Sequence, residues 1–436
     1  MTPADAVAGA PTRDELDAVL RRHVLDPWFP RSLDLEAGGF LCDFDRAWRE
    51  DGPHEKLLEF QARQTWVAAD AARARPDDPR FLGAARHGFR FLREVQWDAA
   101  AGGWFNRLDR SGKPLEGGVK HAHGTAYAIA GCAALHAATG DAAALELARE
   151  GFEWLERSAR DRRHGGWLGF LTRDGTPITE PTARWPSALD PIHTPLGFKD
   201  VNIHSDLLES FLLLGAEAPD PRVEERAAEA VEILCARFRA TDGVLHHTVR
   251  PDWTPVPHLA QFGNQLQTAF RLAWAGEALG GGERLAPVAA RLVREALRYA
   301  WDTDRGGFFD AGTGTARSRL GLLRALAPAK SWWPQFEGLK AILRVLETDP
   351  EDVACRRGLA GVWRYIRRHL LDERFGGVHA MGLDTLPAWR RRLGPRAAPR
   401  RFTLKGSVWK DASHDGRALL YALAAAPAPA RTRPSR

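Results

Sequence analysis

Long apolar runs are missing from this chain. None approaches the roughly 18 residues that a membrane-spanning helix needs, so no membrane partner is expected. Cysteine is scarce. Cys42, Cys132, Cys235 and Cys355 lie far apart and form no C-x-x-C pair, which excludes a zinc ribbon or dithiol redox motif and predicts reduced, buried thiols. The first residues, MTPADAVAGAPTRDELDAVLRR, lack the basic-then-apolar order of a secretory signal, so a cytoplasmic location is expected. Metal and phosphate motifs are incomplete. His54-Glu55 begins an H-E-x-x-H pattern without its second histidine, and Gly280-Gly281-Gly282 lacks the Lys-Ser/Thr of a phosphate loop. His121 and His123 stand two apart on a predicted helix and do not share a face, so no metal site is expected there. A dominant charge is missing too: 61 basic and 56 acidic residues give a net +5. The one dense basic run, Arg390–Arg401, reads as a solvated loop, and no nucleic-acid partner is expected.

Glycine, by contrast, recurs with a period. Gly38-Gly39-Phe40-Leu41, Gly102-Gly103-Trp104-Phe105, Gly165-Gly166-Trp167-Leu168, Gly306-Gly307-Phe308-Phe309 and Gly376-Gly377-Val378-His379 share one pattern, and Asp242-Gly243-Val244-Leu245 is a degenerate sixth copy. Counted from the second glycine of each pair, or Gly243, the spacings are 64, 63, 77, 64 and 70 residues. In the second copy an Asp-Arg-Ser-Gly turn follows, which predicts a short β-hairpin. A unit this long holds a hairpin and two helices, and six such units predict one array rather than six domains.

Between the hairpins the periodicity is helical. Asp14–Val24, Lys56–Ala72 and Phe81–Gln96 open the series, and Thr125–Ala138 is followed by Ala142–Arg157. Leu207–Leu214, Leu266–Leu279, Gly338–Leu346 and Gly416–Ala424 are the small-and-apolar helices of the later units. A helix apolar on most sides is buried, and one with a charged face lies outside. The expected fold is therefore all-α: a single (α/α)6 barrel over residues 14–424 with short β-hairpin insertions. The Ala-, Pro- and Arg-rich tail at 425–436 is expected to be disordered.

Polar residues precede each apolar helix, and the barrel would gather them at one mouth. They are Arg63, Gln64, His123, Asn202, His204, Asn264, Gln265, Glu337, Lys410, Asp411 and His414, with Trp66, Trp104, Trp332, Trp333 and Trp409 nearby. Aromatic faces cover sugar C–H groups while planar polar groups bond hydroxyls, so a small-molecule sugar is the expected partner.

Four segments carry a family resemblance. They are Gln61-Ala62-Arg63-Gln64-x-Trp66, Asn202-x-His204 with Leu207-Leu208-Glu209, Lys330-x-Trp332-Trp333-x-Gln335-x-Glu337, and Trp409-Lys410 with His414-x-Gly416-Arg417. From about Asp34 to Leu423 the chain resembles the N-acylglucosamine 2-epimerase family. The resemblance implies an (α/α)6 barrel, no cofactor, and interconversion of free or reducing-end aldoses. The C2 proton is removed to give an enediol, which is reprotonated at C2 to the 2-epimer or at C1 to the ketose. Carried over by motif, His414 is an acid/base, Arg63 steadies charge on the carbonyl or enediolate oxygen, and His204 opens the ring or binds an oxygen. Asn202, Trp333 and Glu337 contact the sugar, and Asn264, Gln267, His123, Trp409 and Lys410 complete the binding set. A neutral imidazole suits the proton transfer because its pKa lies near working pH. The expected assembly is a monomer or homodimer.

One stretch departs from the family pattern. Where members carry Gly-His and a glutamate three residues beyond the histidine, this chain reads Phe262-Gly263-Asn264-Gln265-Leu266-Gln267. Asn264 and Gln267 are amides, which move no proton at neutral pH. His258, six residues upstream, is the first substitute to test. With His414 alone, aldose–ketose isomerisation is expected over 2-epimerisation. The alternatives are a glycoside hydrolase or lyase using Glu337 with Asp411, which needs two carboxylates across the bond, and a sugar-binding member without turnover.

Overall fold

The computed structural model describes residues 9–240, 243–256, 260–312 and 329–426. Among them are twelve helices of eight residues or more. In chain order they are α1 (Arg13–Leu20), α2 (Leu58–Ala74), α3 (Pro79–Phe91), α4 (Ala122–Thr139), α5 (Ala142–Trp154) and α6 (Val201–Glu217). The second half holds α7 (Pro221–Ala236), α8 (Phe262–Ala278), α9 (Gly282–Tyr299), α10 (Trp332–Thr348), α11 (Val353–Tyr365) and α12 (Ser413–Ala425). Even-numbered helices pack each on the next, and α12 returns to α2, which closes an inner ring of six. Each odd-numbered helix packs outside an even one, with α1 against α12. The chain thus forms the expected (α/α)6 barrel. No helix among the described residues is long and apolar enough to cross a membrane.

Composition separates the two layers. In α4 every residue from Ala122 to Leu135 is buried, and small side chains let the inner helices approach. A Cβ on Gly131 would lie 2.8 Å from the carbonyl oxygen of Ala62 on α2. Outer helix α9 instead buries only one stripe, including Leu285, Ala289, Leu292, Val293 and Ala296. Outer helices α3, α5, α7 and α11 start on Asp78, Asp141, Asp220 and Asp352, whose carboxylates accept a backbone N–H of the first turn.

Each glycine pair closes a tight turn at the top of a unit. Gly102 N–H donates to Asp98 O, and Asp98 N–H donates to Gly103 O; the two glycines have φ of +69° and +73°, which side chains rarely adopt. In five of the units the aspartate that opens the turn meets a buried lysine that precedes an inner helix. The pairs are Lys56–Asp34 at 2.8 Å, Lys120–Asp98 at 3.2 Å, Lys199–Asp161 at 2.8 Å, Lys330–Asp302 at 2.7 Å and Lys405–Asp372 at 3.0 Å. Ala260 stands where the sixth lysine would be, in the unit that also lost its first glycine.

The hairpin expectation needs refinement. Within a unit the turns are closed by single bridges, such as Trp97 with Trp104 and Leu108 with Pro114. The two-residue strands pair between units. β1 (Lys56–Leu57) pairs with β2 (Arg107–Leu108), β3 (Lys120–His121) with β4 (Phe170–Leu171), β5 (Lys199–Asp200) with β6 (Thr248–Val249), and β7 (Ala260–Gln261) with β8 (Ala311–Gly312). This pairing has a purpose, because the first N–H groups of a helix lack partners of their own. Leu58, Ala122, Val201, Phe262 and Trp332 donate to the carbonyls of Asn106, Gly169, His247, Asp310 and Ala380 of the next unit. Within the basic run, Ala388–Leu393 and Arg400–Thr403 are short helices rather than plain loop, and Arg391, Arg392, Arg396 and Arg400 are exposed. His258 and the tail beyond Ala426 lie outside the described residues.

Candidate active site

Carbonyls of the next unit supply the caps of α2, α4, α6, α8 and α10. All the inner helices but α2, which begins at Leu58 rather than Lys56, start earlier than the sequence indicates, and most of the polar residues sit inside their first two turns. Position along the helix then decides what each residue does. In α2, α6, α8 and α10 the fourth residue turns toward the glycine turn of its own unit. Gln61 accepts the N–H of Phe40 and donates to its carbonyl, and Gln335 does the same to Phe308. Gln265 accepts the N–H of Leu245. His204 is the equivalent on α6: Nδ1 donates to Asp200 O at 2.8 Å and Nε2 accepts Trp167 N–H at 3.2 Å. It is fully buried, and burial pushes its pKa down to about 4. His204 is therefore a neutral clamp with both nitrogens spent, not the ring-opening residue the motif implied.

The second and sixth residues of each helix, one turn apart, form the inner face. Arg63 is the sixth residue of α2. Its guanidinium carbon lies 3.9 Å from the Tyr127 ring centre, and Nη1 is 3.6 Å from Asp411 Oδ2. Burial disfavours its charge, but Tyr127, Asp411 and Asp206 outweigh that and hold it protonated. His123, second on α4, lies between Glu59 at 2.9 Å and Asp206 at 3.0 Å. Burial lowers its pKa, yet the two carboxylates raise it to about 9, so both ring nitrogens carry protons. The Asn202 amide lies 3.0 Å from His123 Nε2. His123 thus sits beneath the mouth, 2% exposed, with Asn202 above it.

The acid/base candidate is held from α10. His414 Nδ1 donates to Glu337 Oε1 at 2.8 Å, and Glu337 Oε2 takes Lys340 at 3.0 Å. Burial would raise the Glu337 carboxyl, but Lys340, His414 and Arg271 hold it well below the usual carboxylate range. For His414 burial is the largest influence and lowers the pKa, Glu337 opposes it and Arg63 adds to it, with a net lowering. The ring is thus neutral near pH 7 and protonated at Nδ1, with the lone pair on Nε2. Trp333 and Trp332 flank it at 5.5 and 6.1 Å. Glu337, expected to touch sugar, instead fixes this imidazole.

Other members of the expected set separate. Trp409 is 38% exposed at the rim, whereas Lys410 is buried with Nζ 4.7 Å from the Trp332 ring centre. Trp66 and Trp104 are core residues: Arg417 stacks on Trp66 at 3.4 Å, and Trp104 Nε1 donates to Leu92 O. Asn264 and Gln267 are buried on α8, and the Asn264 amide nitrogen lies 3.4 Å from His247 Nδ1. Sequence reasoning missed His247. Its carbonyl partner position falls three residues after the second glycine in Asn106, Gly169, Asp310 and Ala380, but four after Gly243. The extra residue took it out of register. Also missed was a buried layer below the mouth, where Arg271 joins Glu209 at 2.6 Å and Asp206 at 2.5 Å and Arg417 joins Glu209.

Among the described residues two clusters have the makings of a metal site, and neither fits one. In Glu59–His121–His123, His121 Nδ1 accepts the His123 N–H, His121 Nε2 meets Asp190 at 3.1 Å, and His123 is doubly protonated. In Cys42–Asp43–His54, His54 Nδ1 accepts two backbone N–H groups. Glu337, which the hydrolase alternative pairs with Asp411, is held ionised by His414 and Lys340 and cannot be that reaction's acid.

The profile of the N-acylglucosamine 2-epimerase family matches residues 38–381. Cellobiose 2-epimerase of Bacteroides fragilis is 22% identical over 408 residues, covering 93% of this chain and 97% of that protein. Among solved structures, cellobiose 2-epimerase from Spirochaeta thermophila superposes with a TM-score of 0.79 at 29% identity, covering 95% of this chain and 96% of that one. A D-mannose isomerase superposes with a TM-score of 0.78 at 19% identity over 95% and 98% of the two chains, a likeness of fold.

Proposed function

The chain belongs to the N-acylglucosamine 2-epimerase family, and we propose that it is a sugar isomerase or epimerase acting on a free or reducing-end aldose. The observation that carries this is the Glu337–His414 pair, a neutral imidazole of fixed tautomer between two tryptophans at the mouth. His414 Nε2 takes the proton from C2 of the open-chain sugar. The C–H electron pair becomes the C1–C2 double bond, and the carbonyl pair moves to O1. Arg63, buried and permanently charged, stabilises that oxygen more as its charge grows. The enediol is then reprotonated at C2 or C1. Each step moves a proton or lone pair between groups already named, so the reaction calls for no cofactor.

The remaining residues take supporting parts in this reading. Trp333, Trp409, Asn202 and Gln267 contact the sugar. Glu337 and His204 position the catalytic imidazole and the third glycine turn. The protein works in the cytoplasm as a monomer or homodimer, in keeping with its four free cysteines. Incubation with cellobiose, mannose and N-acetylglucosamine, followed by NMR of the anomeric region, tests the proposal. A 2-epimer or ketose is expected; release of monosaccharide from cellobiose, or no change in any of the three, contradicts it.

A further inference from the structure

One histidine of the mouth has no part in the reaction as described so far. His247 precedes β6, and its carbonyl accepts the first N–H of α6. Its ring lies in the seam between α6 and α8, with Nε2 3.4 Å from Asp200 Oδ2 and Nδ1 3.4 Å from the Asn264 amide nitrogen. Building on the proposed sugar proton transfer, we propose that His247 is the acid/base group for the second face of the enediol, in place of a histidine at position 264.

Chemically, the pair with Asp200, at 3.4 Å, is a longer counterpart of the 2.8 Å pair at His414. A carboxylate beside one ring nitrogen holds its proton there and leaves the other nitrogen to exchange protons. Asp200 is itself fixed: Oδ1 accepts the Asn202 N–H at 2.7 Å and Oδ2 the Thr194 hydroxyl at 2.5 Å.

Place favours it as well. In the inner ring α12, which carries His414, and α6 are three positions apart out of six, so they stand opposite each other. A contact path joins the two sides: the Trp333 ring, 5.5 Å from His414, covers Gly263, and Asn264 follows it. The seam of α6 and α8 thus faces His414 across the mouth. A planar enediol that is to be inverted at C2 needs its two proton carriers on opposite faces.

Access completes the case. The His247 side chain is 23% exposed, whereas His123 and His204 are buried with every ring nitrogen committed. Its contact with Asn264 is near the long limit for a hydrogen bond, so a substrate group can take the place of the amide at small cost.

The step balances without another reactant. His414 removes the C2 proton, and the C1–C2 double bond and O1 charge form. The imidazolium of His247 delivers its proton to C2 from the other side while the carbonyl reforms. His414 is left protonated and His247 neutral, and both re-equilibrate with solvent. The 2-epimer is therefore a product of this chain, contrary to the single-base expectation from Asn264.

The test follows cellobiose and mannose in deuterated water with wild type, His247→Gln, and His247→Gln/Asn264→His. Wild type is expected to form 2-epimer carrying deuterium at C2. His247→Gln keeps an amide at the seam, and the ratio of 2-epimer to ketose should fall about a hundredfold; Asn264→His in that background should restore it. Equal loss of both products in His247→Gln, an unchanged ratio, or a wild type forming ketose alone overturns the role of His247 and leaves the sugar chemistry standing. No deuterium in any sugar overturns both.

Discussion

Glu337 on α10 accepts the Nδ1 proton of His414 on α12 at 2.8 Å, across 77 residues of sequence. The carboxylate raises the imidazole pKa against a larger lowering by burial. Catalysis as a base requires the neutral ring, so the rate falls as pH drops through that pKa, which lies below the ordinary 6.5. Removing the carboxylate lowers it further. Glu337→Gln is expected to move the acid limb of kcat/KM to lower pH and to reduce kcat about tenfold or more, because the ring loses its fixed tautomer. A pH–rate profile checks this; an acid limb that stays or rises counts against the pairing.

Arg63 is expected to serve both catalysis and packing. Arg63→Lys should lower turnover about a hundredfold while the fold persists, since a point charge replaces a planar fork. Arg63→Ala should lose the same activity and also stability, because Asp411 is left buried without its cation. Initial rates with a parallel melting curve separate the two effects. Full activity in Arg63→Lys means that any cation at this place suffices.

His123 is a buried cation between Glu59 and Asp206. His123→Ala leaves Glu59 buried without its cation, while Asp206 keeps Arg271, and is expected to cost about 3–5 kcal/mol. Its folded pKa is raised to about 9 from 6.5, so its contribution is complete below 6.5 and is lost as pH rises through 9. Urea unfolding of wild type and variant at pH 6 and pH 9.5 should show the difference shrinking at the higher pH. A difference that grows with pH contradicts the imidazolium.

The barrel was legible because its constraint is local. Five copies of the turn carry a glycine pair at positive φ, as at Gly102–Gly103, and sequence records that directly. Helix starts were less legible, since the Asn106 and His247 carbonyls that cap α2 and α6 come from the following unit. The site was half legible. Asn202 and His204 entered as one motif, yet residues two apart on a helix face different ways. Asn202 meets His123 at the mouth, and His204 meets Trp167 behind it. Glu337 and His414 were both identified, but their bond depends on the ring bringing α10 beside α12. His247 was hidden by one extra residue in the degenerate fourth turn.

The central claim is that His414 moves the proton at C2. Solvent deuterium entering C2 of cellobiose or mannose measures that step whichever product forms. His414→Gln is expected to reduce the entry rate about a hundredfold or more, with the melting temperature within a few degrees of wild type. A folded His414→Gln protein that takes up deuterium at the wild-type rate would contradict the account.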